Sequence, residues 1–332
     1  MKHAVILFNL GGPDSLDNVQ PFLFNLFNDR AIIDLPNPFR RILAKFISSR
    51  RNIKAQGIYS KIGGKSPILE KTQEQADALQ KQLGDDYKVF ICMRYWHPMS
   101  AEVAKQVALY NPDEIILLPL YPQYSTTTTA SSFKNFLTQY RHPSEGWDPA
   151  NCLSLQSPLD PSFRWDDKIR GINYYHLNEN FLAAHIDLLK PAVEKHPNAR
   201  VLFSAHGLPE KVIKNGDPYQ KQVEETSAAI AKKLNLKDWR VCYQSKVGPL
   251  PWLKPNSADE IMQAGKDGKD IILVPISFVS EHSETLVELD IDFKNLAAES
   301  GVENYIRIPA LATHPLFIKA LAELVAGDNP LN

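Results

Sequence analysis

The chain has 332 residues, of which 44% are hydrophobic and 23% are charged. This length and composition are typical of a globular protein with one large or two medium domains. Lysine plus arginine number 37 against 38 aspartate plus glutamate, so no global positive field attracts nucleic acid. The three cysteines, Cys92, Cys152 and Cys242, are far apart and form no CxxC pair. This spacing argues against a disulfide framework and against a thiolate metal site.

No apolar stretch has the length needed to span a bilayer, and the apolar residues before the first turn are too few for a signal peptide. We therefore expect a cytoplasmic protein. Residues 21–51 are different, because large apolar side chains alternate there with arginine and lysine. They predict either an amphipathic helix pair packed on a core, or an apolar lip with a basic rim. The second alternative suits a flat apolar ligand or peripheral contact with the inner face of a membrane.

Strands and helices alternate through the first half of the chain. Residues 4–8, 88–93 and 114–118 predict strands, and residues 67–83 and 101–110 predict helices. The turn after the first strand lacks GxGxxG, and residues 62–67 lack the first glycine of a Walker motif, where Tyr59 stands. These departures exclude the dinucleotide-binding and phosphate-loop motifs. Each strand is followed by polar or aromatic residues, which suggests ligand binding at the carboxyl edge of a sheet.

Residues 141–167 contain several prolines and little periodicity, which predicts a surface insertion. Strand and helix patterns then resume. A strand is predicted at 168–175, a helix at 178–194, strands at 200–204, 240–243, 270–275 and 305–308, and a final helix at 316–326.

The predicted fold class is α/β, with two similar Rossmann-like lobes whose parallel sheets are flanked by helices and whose active cleft lies between them. The similarity of residues 115–119 to residues 271–275 supports two related lobes. The predicted domains are residues 1–177, carrying the lip segment 21–51 and the insertion 141–167; residues 178–311; and a C-terminal helix within 312–332 that packs back on the lobes.

His206 is the first candidate for chemistry, because a buried strand pattern stops there and turns at Gly207. It is either a core histidine bonded to a carbonyl or a group aimed out of the sheet edge. Glu284, Glu288 and Asp292 lie four residues apart, so a helix would place them on one face. That face is either simply solvated or a path for a divalent cation and protons.

Several separate segments of the chain resemble the ferrochelatases, which insert ferrous iron into a porphyrin in haem synthesis. The most specific are Leu-Phe-Ser-Ala-His-Gly-Leu-Pro at 202–209, Tyr-Gln-Ser-Lys-Val-Gly-Pro at 243–249 with Pro-Trp-Leu at 251–253, and residues 278–286. Shorter matches lie at 9–13, 62–67, 94–98 and 121–125. The resemblance covers nearly the whole chain and implies a chelatase-like fold and a porphyrin metal chelatase activity.

The resemblance also implies site residues, with ferrous iron and protoporphyrin IX as substrates. His206 and Glu284 match the catalytic pair that contacts the metal and the pyrrole nitrogens. Glu288 and Asp292 would continue an acidic conduit, and His282 would support the pair. Matches to porphyrin-pocket or propionate-binding positions are Leu10, Arg51, Tyr59, Ser66, Arg94, Tyr95, Tyr121, Lys246 and Trp252. The family is also known for a π-type widening of the acidic helix, which this sequence does not reveal.

Three departures from the family pattern refine these expectations. The chain ends without a cysteine-rich tail and has Thr126 where an internal cluster ligand would lie, so we expect no iron-sulfur cluster and no permanently bound cofactor. Leu10 stands where enzymes of the coproporphyrin branch tend to carry tyrosine, which favours protoporphyrin IX. The segment 141–167 is longer than the family's usual connection.

The alternative functions are those of a coproporphyrin ferrochelatase, of a non-catalytic porphyrin or haem carrier, and of a periplasmic-type two-lobe binding protein. The carrier has no use for a column of carboxylates, and the periplasmic protein would need a signal peptide. Nucleic acid is not expected as a partner, and no repeat interface is evident, so a monomer or weak dimer is expected.

Overall fold

The computed structural model describes residues 1–140, 162–166, 168–245 and 250–327. The chain divides into two compact units, Met1–Tyr174 and Tyr175–Asn332. The predicted first boundary, at residue 177, lies close to this division. In the described ranges, no helix is long and apolar enough to cross a membrane.

The first unit is built on a mixed sheet. Its described strands are β1 (His3–Asn9), β2 (Tyr87–Met93), β3 (Glu114–Pro119), β4 (Ser162–Asp166) and β5 (Ile169–Ile172). Its described helices are α1 (Val19–Phe27), α2 (Phe39–Ser60), α3 (Ile68–Leu83), α4 (Ser100–Tyr110) and α5 (Thr129–Tyr140). The strand order is β2-β1-β3-β5-β4, with β4 antiparallel to β5 and the other neighbours parallel. The helix pair predicted for the lip segment is confirmed as α1 and α2.

Strand β1 lies at the centre of the parallel part of this sheet. It pairs with β2 in the register Val5↔Val89 and with β3 in the register Val5↔Ile116. Its residues from 4 to 9 are all buried, as expected for a parallel strand covered on both faces. The packing brings the carboxyl ends of β1, β2 and β3 to one edge, where Leu10, Arg94 and Tyr121 follow.

Part of the predicted surface insertion belongs to the sheet instead. Residues 162–166 form β4, which pairs with β5 in the register Phe163↔Gly171. The prediction was wrong for these residues because an antiparallel neighbour needs only a short connection, without the helical pattern that marks parallel crossovers. Strand β5 is accordingly shorter than the strand predicted for 168–175. The rest of the insertion, residues 141–161 and 167, lies outside the described residues.

The second unit repeats the plan with a parallel sheet. Its described strands are β6 (Arg200–His206), β7 (Trp239–Gln244), β8 (Ile271–Pro275) and β9 (Tyr305–Arg307). Its described α-helices are α6 (Glu179–Lys195), α7 (Glu210–Lys214), α8 (Tyr219–Lys233), α9 (Ser257–Lys266), α10 (Phe293–Glu299) and α11 (Pro315–Ala326), and π1 (Glu284–Asp292) is a π-helix. The strand order β7-β6-β8-β9 matches the order β2-β1-β3-β5 of the first unit. The prediction of two similar α/β lobes is therefore confirmed.

Local signals explain where two helices of this unit begin. The Asn178 side chain accepts hydrogen bonds from the backbone N–H groups of Asn180 and Phe181, each at 3.0 Å, and so caps α6. Helix α11 begins at Pro315, where proline suits the first helical turn. It packs against α6 within the second unit, so the C-terminal helix belongs to the core of this unit.

Candidate active site

His206 is the last residue of β6 and lies at the carboxyl edge of the second sheet. The next residue must be glycine, because a Cβ at Gly207 would lie 2.9 Å from the Gln244 carbonyl oxygen and 3.3 Å from the Trp252 ring. The Gly207 N–H donates to that same carbonyl at 2.9 Å. The close approach of β6 and β7 therefore places His206 beside Trp252, whose ring centroid is 6.4 Å from the imidazole centroid.

Two side chains hold the backbone of His206 in place. The His206 N–H donates to the Ser277 hydroxyl at 3.3 Å, and the Tyr219 hydroxyl donates to the His206 carbonyl at 3.0 Å. Ser277 follows β8 and Tyr219 begins α8. Sequence reasoning missed both residues, since neither stands in a pattern that predicts its chemistry. They leave the imidazole ring itself free to contact other groups.

The His206 ring contacts a carboxylate. Its Nδ1 lies 2.9 Å from Glu284 Oε2, so the alternative of a core histidine bonded to a carbonyl does not describe this ring. The side chains are 35% and 27% exposed, which leaves both accessible to a small cation.

The contact between His206 and Glu284 changes the pKa of each side chain in the direction that favours its charged form. Burial by itself lowers the pKa of His206, but the charge and hydrogen bond of Glu284 outweigh it and raise this pKa above 6.5. Burial by itself raises the pKa of Glu284, but the charge of His206 and their hydrogen bond lower it to about 2. The pair is therefore an ionised carboxylate beside an imidazole that binds a proton more tightly than an ordinary histidine.

The acidic column lies on the π-helix π1 rather than on an α-helix. A π-helix joins each N–H to the carbonyl five residues earlier; it is rare and occurs frequently at functional sites. Glu284 and Glu288 are partly buried, whereas Asp292 is exposed. The column thus runs from the His206 contact out to solvent.

Ser245 connects the first two carboxylates of the column. Its N–H donates to Glu288 Oε1 at 3.0 Å and its hydroxyl to Glu288 Oε2 at 2.5 Å. The same hydroxyl lies 3.4 Å from Glu284 Oε2. Burial and the charge of Glu284 raise the pKa of Glu288 despite these bonds. Ser245 has φ +63°, a left-handed conformation that residue type alone would not predict.

His282 lies behind the pair. Its Nε2 is 3.9 Å from Glu284 Oε2, and its Nδ1 lies 3.1 Å from the Ser280 carbonyl oxygen, to which a protonated Nδ1 donates. Burial lowers its pKa, so the ring is held neutral. The structure therefore brings together His206, Glu284, Glu288 and His282, with the exposed Asp292 at the outer end of the column.

In the first unit, three of the predicted porphyrin residues share one apolar cluster. Leu10 packs against buried residues that include Tyr59 of α2 and Tyr95 after β2. The cluster also contains apolar side chains from α1, among them Phe22 and Phe27. The lip helices and the residues that follow β1 and β2 thus share one apolar core cluster within this unit, with Leu10 at its partly exposed edge.

Two of the predicted propionate positions border this region. The Ser66 N–H donates to the Pro13 carbonyl at 2.8 Å, and a Cβ at Gly12 would lie 2.5 Å from Ser66, so glycine is required there. Arg51 lies over the Phe27 ring at 5.5 Å, and burial lowers its pKa. Lys246 lies outside the described residues.

Arg94 and Tyr95 are already bonded to an acid that sequence reasoning missed. The Asp29 Oδ2 atom accepts from Arg94 at 2.7 Å and from the Tyr95 hydroxyl at 2.8 Å, and it also accepts from Ser131 at 2.5 Å. These groups hold α1, β2 and α5 together. Asp29 is one of only two acids, with Asp34, in the apolar and basic segment 21–51, and this rarity was the available signal for it. Tyr121 packs against the core of the first sheet, and burial raises its pKa.

Comparison with known proteins agrees with this geometry. A family model described as Ferrochelatase matches residues 2–328. A ferrochelatase of Wolbachia sp. subsp. Drosophila simulans (strain wRi) is 51% identical over 333 residues, which cover 98% of each chain. A ferrochelatase of Rickettsia bellii (strain OSU 85-389) is 52% identical over 328 residues, which cover 97% of this chain and 86% of the relative.

Solved structures with low sequence identity share the fold. SirB from Bacillus subtilis with Fe³⁺ superimposes with a TM-score of 0.57 at 14% identity, covering 99% of this chain and 96% of SirB. A multi-domain protein from Deinococcus radiodurans, described as structurally similar to chelatases, gives 0.52 at 11% identity over 99% of this chain and 55% of its own. The fold is thus that of the chelatases. With family model and relatives in agreement over nearly the full length, the chain belongs to the ferrochelatase family, the porphyrin metal-chelating lyases of haem biosynthesis.

Proposed function

We propose that this protein inserts ferrous iron into protoporphyrin IX and releases two protons, with His206 and Glu284 as the reacting pair. The observation that carries the proposal is the 2.9 Å contact between the His206 ring and the Glu284 carboxylate at the inner end of an acidic column. Metalation must remove two pyrrole N–H protons and replace the water around the iron. An imidazole accepts protons near neutral pH, and a carboxylate attracts a hard divalent cation.

In this proposal the neutral imidazole of His206 accepts a pyrrole proton. The adjacent Glu284 carboxylate stabilises the imidazolium that forms and provides an oxygen ligand for the arriving iron. It remains ionised because its pKa is about 2. Each iron ion that enters replaces two protons on the macrocycle, so charge is conserved and no external oxidant or reductant is required.

The released protons then follow the column outward. Glu288 is the carboxyl most ready to accept one, because burial and Glu284 raise its pKa. Asp292 is exposed and passes the proton to water. His282, whose pKa is lowered, does not compete for the proton and supports the position of Glu284.

We further propose that apolar residues of the first unit contact the macrocycle. Trp252 is proposed separately as a porphyrin contact because its ring lies beside His206 within the second unit. Leu10 and Tyr59 provide apolar contact, while Arg51 and Ser66, with Lys246, orient the propionates. Arg94 and Tyr95 act indirectly, because their hydrogen bonds to Asp29 hold in place the residues that follow α1 and β2.

An anaerobic assay tests the substrate. Purified protein is mixed with ferrous iron and either protoporphyrin IX or coproporphyrin, and the porphyrin absorbance is followed. We expect faster metalation of protoporphyrin IX, because the apolar Leu10 offers no polar partner to extra propionates. Faster metalation of coproporphyrin would reject the substrate assignment. Tight porphyrin binding without metalation above the uncatalysed rate would instead identify a carrier.

We also propose that helix α2 contacts a membrane surface. Phe39, Ile42, Phe46 and Ile53 are all exposed, and their spacing places them on one face of the helix. Arginines and lysines flank this stripe, among them Arg50 and Lys54. An apolar stripe with basic borders is suited to the headgroup region of an anionic bilayer.

Flotation with vesicles tests this contact. Wild-type protein should float with anionic vesicles more than with neutral ones, and a double variant, Ile42→Ser with Phe46→Ser, should reduce the bound fraction by about tenfold or more. Leu109→Ser is the matched control, since Leu109 is an exposed apolar residue on α4, and it should leave flotation unchanged. Wild-type protein that stays wholly in solution would remove the proposal.

A further inference from the structure

Arg307 of strand β9 binds two carboxylates. One belongs to Asp290, which lies within the acidic helix π1, and the other to Glu281, which precedes this helix. Its Nε donates to Asp290 Oδ1 at 2.7 Å, and its Nη2 donates to the other oxygen of the same carboxylate. Its Nη1 donates to Glu281 Oε1 at 2.6 Å. Glu281 precedes π1 and Asp290 lies within it, so one guanidinium holds the segment at two points. A two-point contact with a rigid, planar group fixes rotation as well as position.

The ion pair between Arg307 and Glu281 is largely shielded from solvent. The Arg307 side chain is 11% exposed and that of Glu281 is 17% exposed. The Glu281 carboxylate also accepts from the Ala310 N–H at 2.9 Å, which connects it to the chain after β9. Removal of one partner from such a group leaves an uncompensated charge, so the arrangement is costly to change.

Tyr305 provides a second attachment from the same strand. Its hydroxyl donates to the Leu289 carbonyl in π1 at 2.8 Å. Tyr305 and Arg307 are two residues apart on β9, so both side chains leave the same face of the strand. The π-helix is rare. The contacts of Tyr305 and Arg307 stabilise π1 from outside the helix.

The register of π1 decides where Glu284 faces. Asp290 lies six residues after Glu284. A π-helix turns less per residue than an α-helix, so with Asp290 held in place an α-helical register would rotate Glu284 by an angle on the order of 100°. That rotation would carry Glu284 away from His206 Nδ1, which now lies 2.9 Å from it.

We propose that Arg307, assisted by Tyr305, is a positioning residue for metal entry: it holds the acidic helix in its π register so that Glu284 faces His206 and Glu288 faces Ser245. The kinetic consequence rests on the proposed function, whereas the geometric consequence does not. The carboxylates that Arg307 binds are those of Asp290 and Glu281, and not those of Glu284 and Glu288, which it orients.

Arg200 offers a matched control for the test. Its side chain is 7% exposed and donates to Asp238 and to Asp267, each at 2.9 Å. It begins β6, at the opposite end of the strand from His206. Arg200→Met therefore removes an equally buried arginine with two acidic partners from the same unit, without touching the acidic helix.

The experiment compares metalation kinetics of Arg307→Met and Arg200→Met at a temperature where circular dichroism shows both folded. With zinc or ferrous iron as the varied substrate, Arg307→Met should raise the metal KM by about tenfold or more, while the porphyrin KM stays near the wild-type value. Arg200→Met should change neither constant. Equal effects of the two variants on the metal KM, or an unchanged metal KM in Arg307→Met, would overturn the proposal.

Two further measurements keep the inference testable. Tyr305→Phe removes one hydroxyl and should also raise the metal KM selectively if Arg307→Met does not fold; an unchanged metal KM there would count against the proposal. A crystal structure of Arg307→Met, or of Tyr305→Phe in that event, should show Glu284 withdrawn from His206, and an unmoved Glu284 would contradict it. If the wild type itself metalates no porphyrin, the proposed function fails, while the crystal structure still decides the positioning.

Discussion

Replacing His206 with alanine should lower kcat for porphyrin metalation by about 10²–10⁴, the range typical of losing a general base. The variant should still bind porphyrin, because the apolar contacts assigned to the macrocycle lie on other residues. In the wild type, kcat/KM should fall as the pH drops through the pKa of His206, since only the neutral ring accepts a proton. That pKa is raised above 6.5, so the loss begins at a higher pH than for an ordinary histidine. The alanine variant should lack this acid limb.

His196→Ala is the control for this experiment. The His196 Nδ1 lies 3.4 Å from an Asp270 oxygen, so it is also an imidazole beside a carboxylate in the second unit, but it precedes the amino end of β6. Its removal should leave kcat and the pH profile unchanged. A His206→Ala enzyme with wild-type kcat would show that another group accepts the proton.

Replacing Glu284 with glutamine should lower kcat/KM for the metal by about 10²-fold or more, because glutamine keeps the shape but loses the charge that attracts the cation. The same change should move the acid limb of the pH profile to lower pH. With the Glu284 carboxylate gone, the larger of the two charges that raise the His206 pKa is removed, and burial, which lowers this pKa, is opposed only by the weaker effect of Glu288. Steady-state kinetics over a range of pH with the metal varied would measure both effects.

Two further variants show whether the effect of Glu284→Gln is specific to this carboxylate. Glu288→Gln should have a smaller effect, mainly on the metal KM, because Glu288 lies one step from the reacting pair and bonds to Ser245 instead. Glu225→Gln is the matched control, since Glu225 Oε2 contacts His176 Nε2 at 2.9 Å in the same unit but is not part of the column. A loss in Glu225→Gln equal to that in Glu284→Gln would indicate a general effect on folding.

Much of the architecture and of the site was determined by the sequence. Apolar runs such as residues 4–8 and 271–275 predict buried parallel strands because both faces of such strands are covered. The stop at His206 and Gly207 places an imidazole at a strand end, and the spacing of Glu284, Glu288 and Asp292 places three carboxylates on one helix face. These signals depend only on neighbouring residues or on a regular spacing along the chain, so the amino-acid sequence is sufficient to predict them. The resemblance to ferrochelatases then implied a porphyrin and ferrous iron as substrates, which no spacing specifies.

Only the tertiary structure decided which groups surround these residues. Ser245, Tyr219, Ser277 and Asp29 are ordinary in sequence, and their roles come from contacts between strands and helices far apart along the chain. The same is true of β4, whose pairing depends on β5, and of π1, whose register is held by side chains of β9. A register that costs free energy locally must be stabilised by partners from elsewhere in the fold. For that reason the spacing of the carboxylates predicted the column, but spacing alone did not predict the direction in which Glu284 faces.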